Sequence, residues 1–391
     1  MMGKIIANNN SRLIFEISLW CYYLYRLTDD LYPPLGVSGK FEKLSILFSI
    51  ICFFVNGKKS LKWVLLFSII IPSTLYFLIA YKYHVITTFL LVFAAANLDS
   101  DHITKSLFRV NVFCLFLVFI FLLLGITENT EILREDIVDG RDYANTMGFY
   151  YYSGFSFRIL CLTVIFLSLY RWSLTNLRLL IIIFINIVAF FLATTRLQLI
   201  LSSLFIIFFI FSYKFEYFHF KSWFWKWTSI MIYPFMFVLY YVLAALSFTN
   251  LELVQELWDT LFSNRMGQSI LAFTRYGINL FGNEIEMHGT RETSEYAVEY
   301  FYIDAGYAYW ILAYGIIFTI TILYCYSNVF YKSYKKGVGY IYIWLLLFSI
   351  GNLINDFVNF FASYPILLYL FARFNDDKQL PQRSAIKTNR K

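Results

Sequence analysis

The residues best suited to chemistry lie in one long polar stretch, 250–304, of an otherwise apolar chain. This stretch contains Arg265 and Arg275, whose forked and permanently charged guanidinium groups suit phosphate and carboxylate ligands. His288 and several carboxylates accompany them, and Asp304 falls where the chain re-enters the predicted membrane region. The stretch is therefore where we expect the protein's chemistry.

A single arginine, Arg196, stands between two long apolar runs in the segment ATTRLQL. An unpaired arginine at the centre of a membrane span costs about 2.5–3.5 kcal/mol on insertion, so this side chain should face a polar cavity or an anionic partner. The alternative is a turn residue whose side chain reaches to the membrane surface. We favour an anion-binding arginine.

The polar segment 127–151 supplies another candidate, Arg141, and Arg158 follows it in the next apolar run. The segment is acidic and contains the turn dipeptide Asp139-Gly140. It is either a solvated loop or the lip of a binding cleft, with Arg141 and Arg158 flanking the membrane surface. Both arginines are therefore candidate substrate-binding residues.

The sequence predicts neither a metal centre nor a cofactor. Its four histidines are scattered singly, its five cysteines all lie within apolar runs, and no metal-binding or nucleotide-binding motif is present. The cysteines are interpreted as small buried apolar residues. We expect a metal-independent protein.

The composition places these residues in a membrane protein. The 391 residues are 60% hydrophobic and 22% aromatic, with a mean hydropathy of +0.62, and a soluble domain cannot cover that much apolar surface. We predict an all-α polytopic integral membrane protein, with about twelve transmembrane helices in a single membrane domain over residues 1–391. The predicted spans are 13–28, 44–57, 63–81, 85–97, 108–126, 152–170, 178–195, 197–212, 228–248, 305–329, 339–355 and 357–372.

The distribution of basic residues predicts the topology. With the N-terminus inside, about two thirds of the 32 Lys and Arg residues fall on the cytoplasmic side. Both termini are then cytoplasmic, 373–391 is a basic cytoplasmic tail, and the 250–304 loop, between the ninth and tenth spans, faces outward. The net charge of +7 is thus a topology signal and does not indicate nucleic-acid binding. No cleavable signal peptide is expected, because the first span carries Glu16 and Arg26 and no cleavage site follows it.

The outward loop is predicted to contain two helices. Apolar residues recur at helical spacing over 251–262 with acidic residues opposite them, which is typical of an amphipathic helix on a membrane surface. Ser263 or Asn264 is placed to cap a second helix that starts near Arg265 and stops at Gly277. Arg265 would then lie at the positive end of a helix, which also favours an anion.

The second part of this loop resembles the bacterial repeat-unit polymerases of the O-antigen and capsular polysaccharide (Wzy) type. In that family an Arg opens a helix, a "YG…LFG" segment follows, and an Asp and a Tyr precede a span that ends in "YG". The matching residues here are Arg265, Tyr276-Gly277, Leu280-Phe281-Gly282, Asp304, Tyr307 and Tyr314-Gly315. The segment ATTRLQL also looks like the short outer turn of the related O-antigen ligases, which places Arg196 at that family's arginine.

The resemblance implies an enzyme that joins glycan repeat units carried on undecaprenyl diphosphate at the outer face of the bacterial cytoplasmic membrane. The growing chain would leave its lipid diphosphate and pass to a sugar hydroxyl of the next lipid-linked unit. Arginines would hold the diphosphate as its charge develops. Arg196 and Arg265 are the leading candidates for this contact. Arg275, Arg141 and Arg158 are the secondary candidates.

The remaining roles implied by the resemblance fall to four residues. Asp304 is the leading candidate for the base that takes the acceptor's proton, or for a carboxylate that orients Arg265. His288 is the alternative base, although its surroundings do not match those of the ligases' loop histidine. Tyr276 and Tyr307 would contact sugar or phosphate oxygens.

The expected partners are a lipid-linked glycan donor and acceptor, the lipid bilayer, and a chain-length regulator and flippase of the same pathway; no nucleic acid is expected. One alternative is a ligase that attaches finished glycan to another acceptor. Another is a flippase or transporter of the same lipid-linked unit, but the chain shows no inverted repeat, few charges within its spans and a large outer loop. A third alternative, a scaffold subunit of an envelope complex, would not explain why an arginine stands at position 196.

Overall fold

A computed structural model describes most of the chain. The described residues are 2–55, 83–138, 141–151, 153–171, 173–214, 222–246, 265–289, 301–355 and 365–374. The predicted span 63–81, the predicted loop helix 251–262 and the tail beyond residue 374 lie outside them.

The described residues are mainly helical. The helices are α1 (Met2–Asp30), α2 (Ser38–Val55), α3 (Tyr83–Ala94), α4 (Ser100–Leu123), α5 (Ser153–Leu169), α6 (Asn176–Ala193), α7 (Arg196–Phe209), α8 (Trp223–Leu246), α9 (Arg265–Tyr276), α10 (Gly306–Tyr309), α11 (Gly315–Lys336) and α12 (Gly339–Gly351). A π-helical turn, Ile210–Lys214, extends α7, and a second, Trp310–Tyr314, joins α10 to α11. A short 3₁₀ helix, Pro365–Tyr369, lies near the end of the described chain.

Within the described chain, five helical stretches are long and apolar enough to cross a bilayer, judged by length and composition. They are Ser100–Leu123, Asn176–Ala193, Arg196–Tyr213, Trp223–Leu246 and Gly306–Lys336. Shorter apolar helices accompany them at Val85–Ala94, Ser153–Leu169 and Gly339–Gly351. The prediction of a helical, membrane-embedded protein is confirmed, whereas the number of twelve spans stays a prediction.

The structure fits an all-α membrane protein, and the described chain adds a β-hairpin in the polar segment 127–151. Strand β1 (Glu131–Val138) pairs antiparallel with β2 (Arg141–Asn145), and Val138 is the register partner of Arg141. The two residues between them in the sequence are Asp-Gly, a favoured pair for two-residue hairpin loops. This turn signal was recognised, but the short strands that it joins were not.

The ends of the described helices collect into two groups. At one end, the Arg12 guanidinium lies 2.8 Å from the Asp99 carboxylate and that of Arg171 lies 3.1 Å from Asp101, which joins α1 and α5 to the start of α4. We call this group the basic end. Its described basic residues are Arg12, Lys105, Arg109, Arg171, Arg178, Lys226, Lys332, Lys335, Lys336 and Arg373.

The opposite group, here called the loop end, collects the polar connections. The Tyr150 amide donates to the Asp30 carbonyl at 2.8 Å, which ties the hairpin to the end of α1. The Gly306 amide donates to the Asn352 carbonyl at 3.0 Å, which ties the start of α10 to the end of α12. The loop end comprises residues 29–43, 83–88, 124–138, 141–151, 194–196, 241–246, 265–289, 301–306 and 351–355.

Small polar residues join α1 to α2. The hydroxyls of Ser18 and Ser49 are 2.6 Å apart, and Ser18 and Ser45 each donate to the other's backbone carbonyl, at 3.0 and 3.1 Å. Such hydrogen bonds are typical of contacts between membrane helices, where apolar burial against lipid gives no drive for association.

Aromatic stacking joins α8 to the α10–α11 segment. Tyr233 stacks on Tyr326 at 4.8 Å between ring centroids, and Trp310 stacks on the same Tyr326 at 6.0 Å. All three side chains are buried. This packing holds the helix that leads out of the large loop in a fixed position.

Candidate functional site

The pieces of sequence that carry the family resemblance meet in space. Residues 277–283, which we call the strap, leave α9 and run against the π-helical turn before α11. The Asn283 amide donates to the Leu312 carbonyl at 2.9 Å, and the Ile316 amide donates to the Asn279 carbonyl at 3.1 Å. The strap thereby satisfies backbone groups that the interrupted helix leaves open.

Two glycines permit this close approach. Gly282 and Gly315 have φ angles of +88° and +86°, a region that side chains disfavour. A Cβ atom on Gly282 would overlap the Ala313 carbonyl, and one on Gly315 would overlap the Gly282 amide nitrogen. The glycines of "LFG" and "YG" therefore have a packing explanation, which is contact between two backbones.

Three of the predicted site residues surround a residue that the sequence interpretation did not single out, Phe301. The Arg275 guanidinium carbon lies 4.9 Å from the centroid of the Phe301 ring, and the Tyr276 ring lies 6.2 Å from it. His288 and Phe301 exchange two backbone hydrogen bonds, at 2.8 and 3.1 Å. Phe301 thus gathers Arg275, Tyr276 and His288 at the loop end.

The predicted second helix of the large loop is present in the described part of the chain. It covers Arg265–Tyr276, and Gly277, with φ +67°, follows its last residue. The Arg265 side chain lies outside the described part, and so does the predicted cap at Ser263 or Asn264. The start of this helix at Arg265 therefore stays a prediction.

Asp304 and Tyr307 lie in different environments although they are neighbours in sequence. Asp304 is partly exposed just before α10. Tyr307 is fully buried, and its hydroxyl donates to the Ser349 carbonyl at 2.8 Å. In this conformation Tyr307 is a packing residue of the core, and Asp304 is the group that faces outward.

Arg158 is buried within the protein, and its predicted place at the membrane surface stays a prediction. Its side chain is 4% exposed and its Nη2 lies 3.0 Å from an Asp30 carboxylate oxygen. Arg26 lies 3.4 Å from the same carboxylate, and the Arg158 guanidinium lies over the Tyr23 ring at 5.8 Å. Arg158 therefore joins α5 to the end of α1, and Asp30 is a partner that the sequence did not reveal.

Arg141 begins β2, and its side chain lies outside the described part. The backbone of β2 packs against α6, the helix that leads to Arg196. The hairpin thus lies beside the Arg196 turn, which agrees with its expected place near a binding cleft.

Arg196 is exposed and is the first residue of α7. The turn before it is tight, because Thr194 has a left-handed φ of +51° and Thr195 is extended. Arg196 makes no hydrogen bond or ion pair with any described residue, whereas Arg158 and Arg275 at the same end both have protein partners. Since no described residue pairs with it, the Arg196 charge is available to a ligand.

A small polar cleft of about 10 Å³, room for about one water molecule, opens beside this turn, between α5, α6 and α7. The Oγ of Ser156 and the Oγ1 of Thr195 are buried there and have no hydrogen-bond partner among the described residues. Thr195 is the residue before α7, and its side chain leaves the amides of the first turn uncapped. The full lining is Ser156, Ile159, Asn186, Ala189, Phe190, Thr195, Gln198 and Leu199.

The cleft has the chemistry of an anion site. Its lining contains hydroxyl and amide groups and no acidic residue, and it lies at the positive end of a helix beside an exposed guanidinium. Unsatisfied buried hydroxyls are costly, so a ligand that accepts hydrogen bonds from them would be stabilised.

The cysteine interpretation is confirmed in most positions. All five thiols are free; Cys52, Cys114, Cys161 and Cys325 are buried and Cys21 is partly buried. Among the described residues, no three His, Cys, Asp or Glu side chains are grouped as metal ligands.

Comparison with protein-family models, with characterised proteins and with solved structures found no match to this chain. The resemblance to repeat-unit polymerases therefore rests on the residues named above.

Proposed function

We propose that the chain is a membrane glycosyltransferase that polymerises undecaprenyl-diphosphate-linked oligosaccharide repeat units, for O-antigen, capsule or exopolysaccharide. The observation that carries the proposal is Arg196, an exposed arginine at a helix N-terminus, above a cleft with two unsatisfied buried hydroxyls. A lipid diphosphate supplies the negative charge and the acceptor oxygens that this site lacks. The meeting of the strap with Tyr314-Gly315 gives secondary support, because it brings together two of the segments that carry the resemblance.

The reaction is a displacement at the anomeric carbon of the growing glycan. An acceptor sugar hydroxyl forms the new C–O bond while the bond to the lipid diphosphate breaks, and the diphosphate leaves with the electron pair. Arg196, the first amides of α7 and Arg265 stabilise that charge. The acceptor proton goes to Asp304, which faces outward, or to His288.

The loop end is assigned to the outer face of the bacterial cytoplasmic membrane, with both termini in the cytoplasm. The support is electrostatic: the basic end gathers Lys and Arg residues, as cytoplasmic loops do. A flippase would deliver the lipid-linked units to this face, and a chain-length regulator of the same pathway would act with the polymerase. A ligase would use the same diphosphate site with a different acceptor.

The proposal is tested by glycan size profiles of cells that carry variants of the gene. Arg196→Ala should abolish the long polymer while single repeat units still reach the surface. Arg196→Lys should restore it only partly, since the charge is kept but the fork is lost. Arg109→Ala, an exposed arginine of the basic end, is the matched control and should leave the ladder unchanged.

Three other outcomes would each change the assignment. A normal ladder from Arg196→Ala, at equal protein level, would remove this arginine from the mechanism. Repeat units trapped on lipid at the cytoplasmic face in cells without the gene would indicate a flippase. Polymer that forms but is not transferred to its final acceptor would indicate a ligase.

A further inference from the structure

Four tyrosines from three distant parts of the chain form a continuous strip at the loop end. The ring centroids of Tyr32 and Tyr150 are 5.8 Å apart, those of Tyr150 and Tyr151 are 4.8 Å apart, and those of Tyr151 and Tyr302 are 6.1 Å apart. All three contacts are edge-on, and all four side chains are partly exposed. We call Tyr32, Tyr150, Tyr151 and Tyr302 the tyrosine strip.

The backbone holds the strip in place. Besides the bond from Tyr150 to Asp30, the Tyr32 amide donates to the Gly148 carbonyl at 3.1 Å, and the Glu128 amide donates to the Tyr32 carbonyl at 3.0 Å. The backbones of Tyr32 and Tyr150 are therefore held close together before any ligand binds, which lowers the entropy cost of binding.

We propose that the tyrosine strip binds the saccharide part of the lipid-linked substrate. Tyrosine combines a flat apolar ring with a hydroxyl that both donates and accepts hydrogen bonds, and sugars likewise present apolar C–H faces edged by hydroxyls. A row of such rings supports several sugar units without a deep pocket. This inference rests on the proposed function, because it assigns a subsite to the same substrate.

The strip lies close to the proposed diphosphate cleft. Tyr151 stands two residues before α5, and Ser156 of the cleft lies within the first turn of that helix. With a rise of 1.5 Å per helical residue, the two sites are on the order of 10 Å apart. A ligand whose diphosphate lies over the mouth of the cleft, beside Arg196, therefore has its first sugars within reach of the strip.

The charges around the strip favour a glycan over a phospholipid headgroup. Glu128 and Asp29 are both exposed near Tyr32: the Glu128 amide donates to the Tyr32 carbonyl, and Asp29 lies three residues before Tyr32 in the sequence. Asp304 lies two residues after Tyr302. Carboxylates repel the anionic headgroups of bacterial lipids, whereas they accept hydrogen bonds from sugar hydroxyls.

The test measures binding of a lipid-free glycan, so that it does not depend on the diphosphate site. The probe is the repeat-unit oligosaccharide released by mild acid from the host's lipid-linked intermediates, detected by saturation-transfer NMR on the purified full-length protein in nanodiscs. Tyr151→Ala and Tyr302→Ala should each weaken binding at least tenfold. Tyr151→Phe keeps the ring and should weaken it less, while Tyr331→Ala, an exposed tyrosine beside the basic end, should not change it.

Arg196→Ala separates this inference from the proposed function. It should leave binding of the lipid-free oligosaccharide unchanged while removing the polymer. If Tyr151→Ala and Tyr302→Ala fold and bind the probe as the wild type does, or if the wild type does not bind it at all, the strip is not a saccharide site, and the role of Arg196 is unaffected. If Tyr151→Ala does not fold, the comparison of Tyr151→Phe and Tyr302→Ala with Tyr331→Ala decides.

Discussion

At the scale of single residues, Arg158 and Arg196 show that two arginines with similar sequence surroundings can differ completely in burial. Both stand alone in apolar sequence, yet Arg158 is buried against Asp30 and Arg196 is exposed with no described partner. A buried guanidinium must recover its lost hydration from an anion within the protein. An exposed one can take that anion from a ligand.

The buried pair predicts a large effect on stability. Arg158→Ala should destabilise the protein by about 1.5–3 kcal/mol, because it removes a buried guanidinium bonded to the Asp30 carboxylate, while Arg26 at 3.4 Å still offsets part of that charge. The measurement is thermal unfolding of the purified protein in detergent.

The matched control is Arg109→Ala. Arg109 pairs with Glu16 at 2.7 Å, but its side chain is 55% exposed, so this change should cost about 1 kcal/mol or less. Equal effects of the two substitutions would mean that the Arg158–Asp30 pair contributes no more than a surface pair.

The sequence could not separate these two arginines. Asp30 is 128 residues from Arg158, and nothing local to either residue marks the pairing. The same holds for Phe301, which looks like one aromatic among many until Arg275 and His288 are found around it. Residue types were predictable from the sequence, but their partners were not.

At the scale of elements, the strap shows how two interrupted elements complete each other. The turn Trp310–Tyr314 interrupts the regular helix, and the strap supplies the missing hydrogen-bond partners. The glycine signals were visible in the sequence as parts of "LFG" and "YG". Their contact was not, because it depends on a chain reversal between residues 283 and 312.

The strap predicts a graded series of glycine substitutions. Gly282→Ala and Gly315→Ala should each cost about 3 kcal/mol or more, because strain at positive φ adds to overlap with backbone atoms. Gly277→Ala should cost about 1–2 kcal/mol, since it has positive φ but open space. Gly36→Ala, with neither feature, is the control.

Thermal unfolding and protease cleavage of the loop would measure this series. Cleavage within 250–304 should be faster in Gly282→Ala than in the wild-type protein, and Gly36→Ala should be cleaved at the wild-type rate. If all four variants behave alike, the strap is not seated on the helix as described.

At the scale of the whole molecule, the separation of charge between the two ends predicts orientation. Long apolar helices were predictable from hydropathy, since a period or run of apolar residues is a local property. The hairpin was missed because a short polar segment between spans resembles a loop, even though its Asp139-Gly140 turn was recognised. The grouping of the polar connections at the loop end was predictable from the number of spans and the positions of the basic residues.

Orientation is testable with single cysteines. An impermeant maleimide applied to intact cells should label Glu284→Cys at the loop end and should label Lys335→Cys only after permeabilisation. Both positions are exposed, and four of the five native thiols are buried, which keeps the background low. The reverse pattern would place the loop end in the cytoplasm and would contradict the proposed polymerase.

The pair of hydrogen bonds between His288 and Phe301 has a consequence for changes in the length of the chain between them. It closes the intervening stretch of chain at its base, so insertions or deletions there leave Arg275, Tyr276 and the strap in place. Loop closure is forgiving of length, since each doubling costs only about 0.6 kcal/mol. The sequence between these two positions can thus change in length and composition while the rest of the scaffold is kept intact.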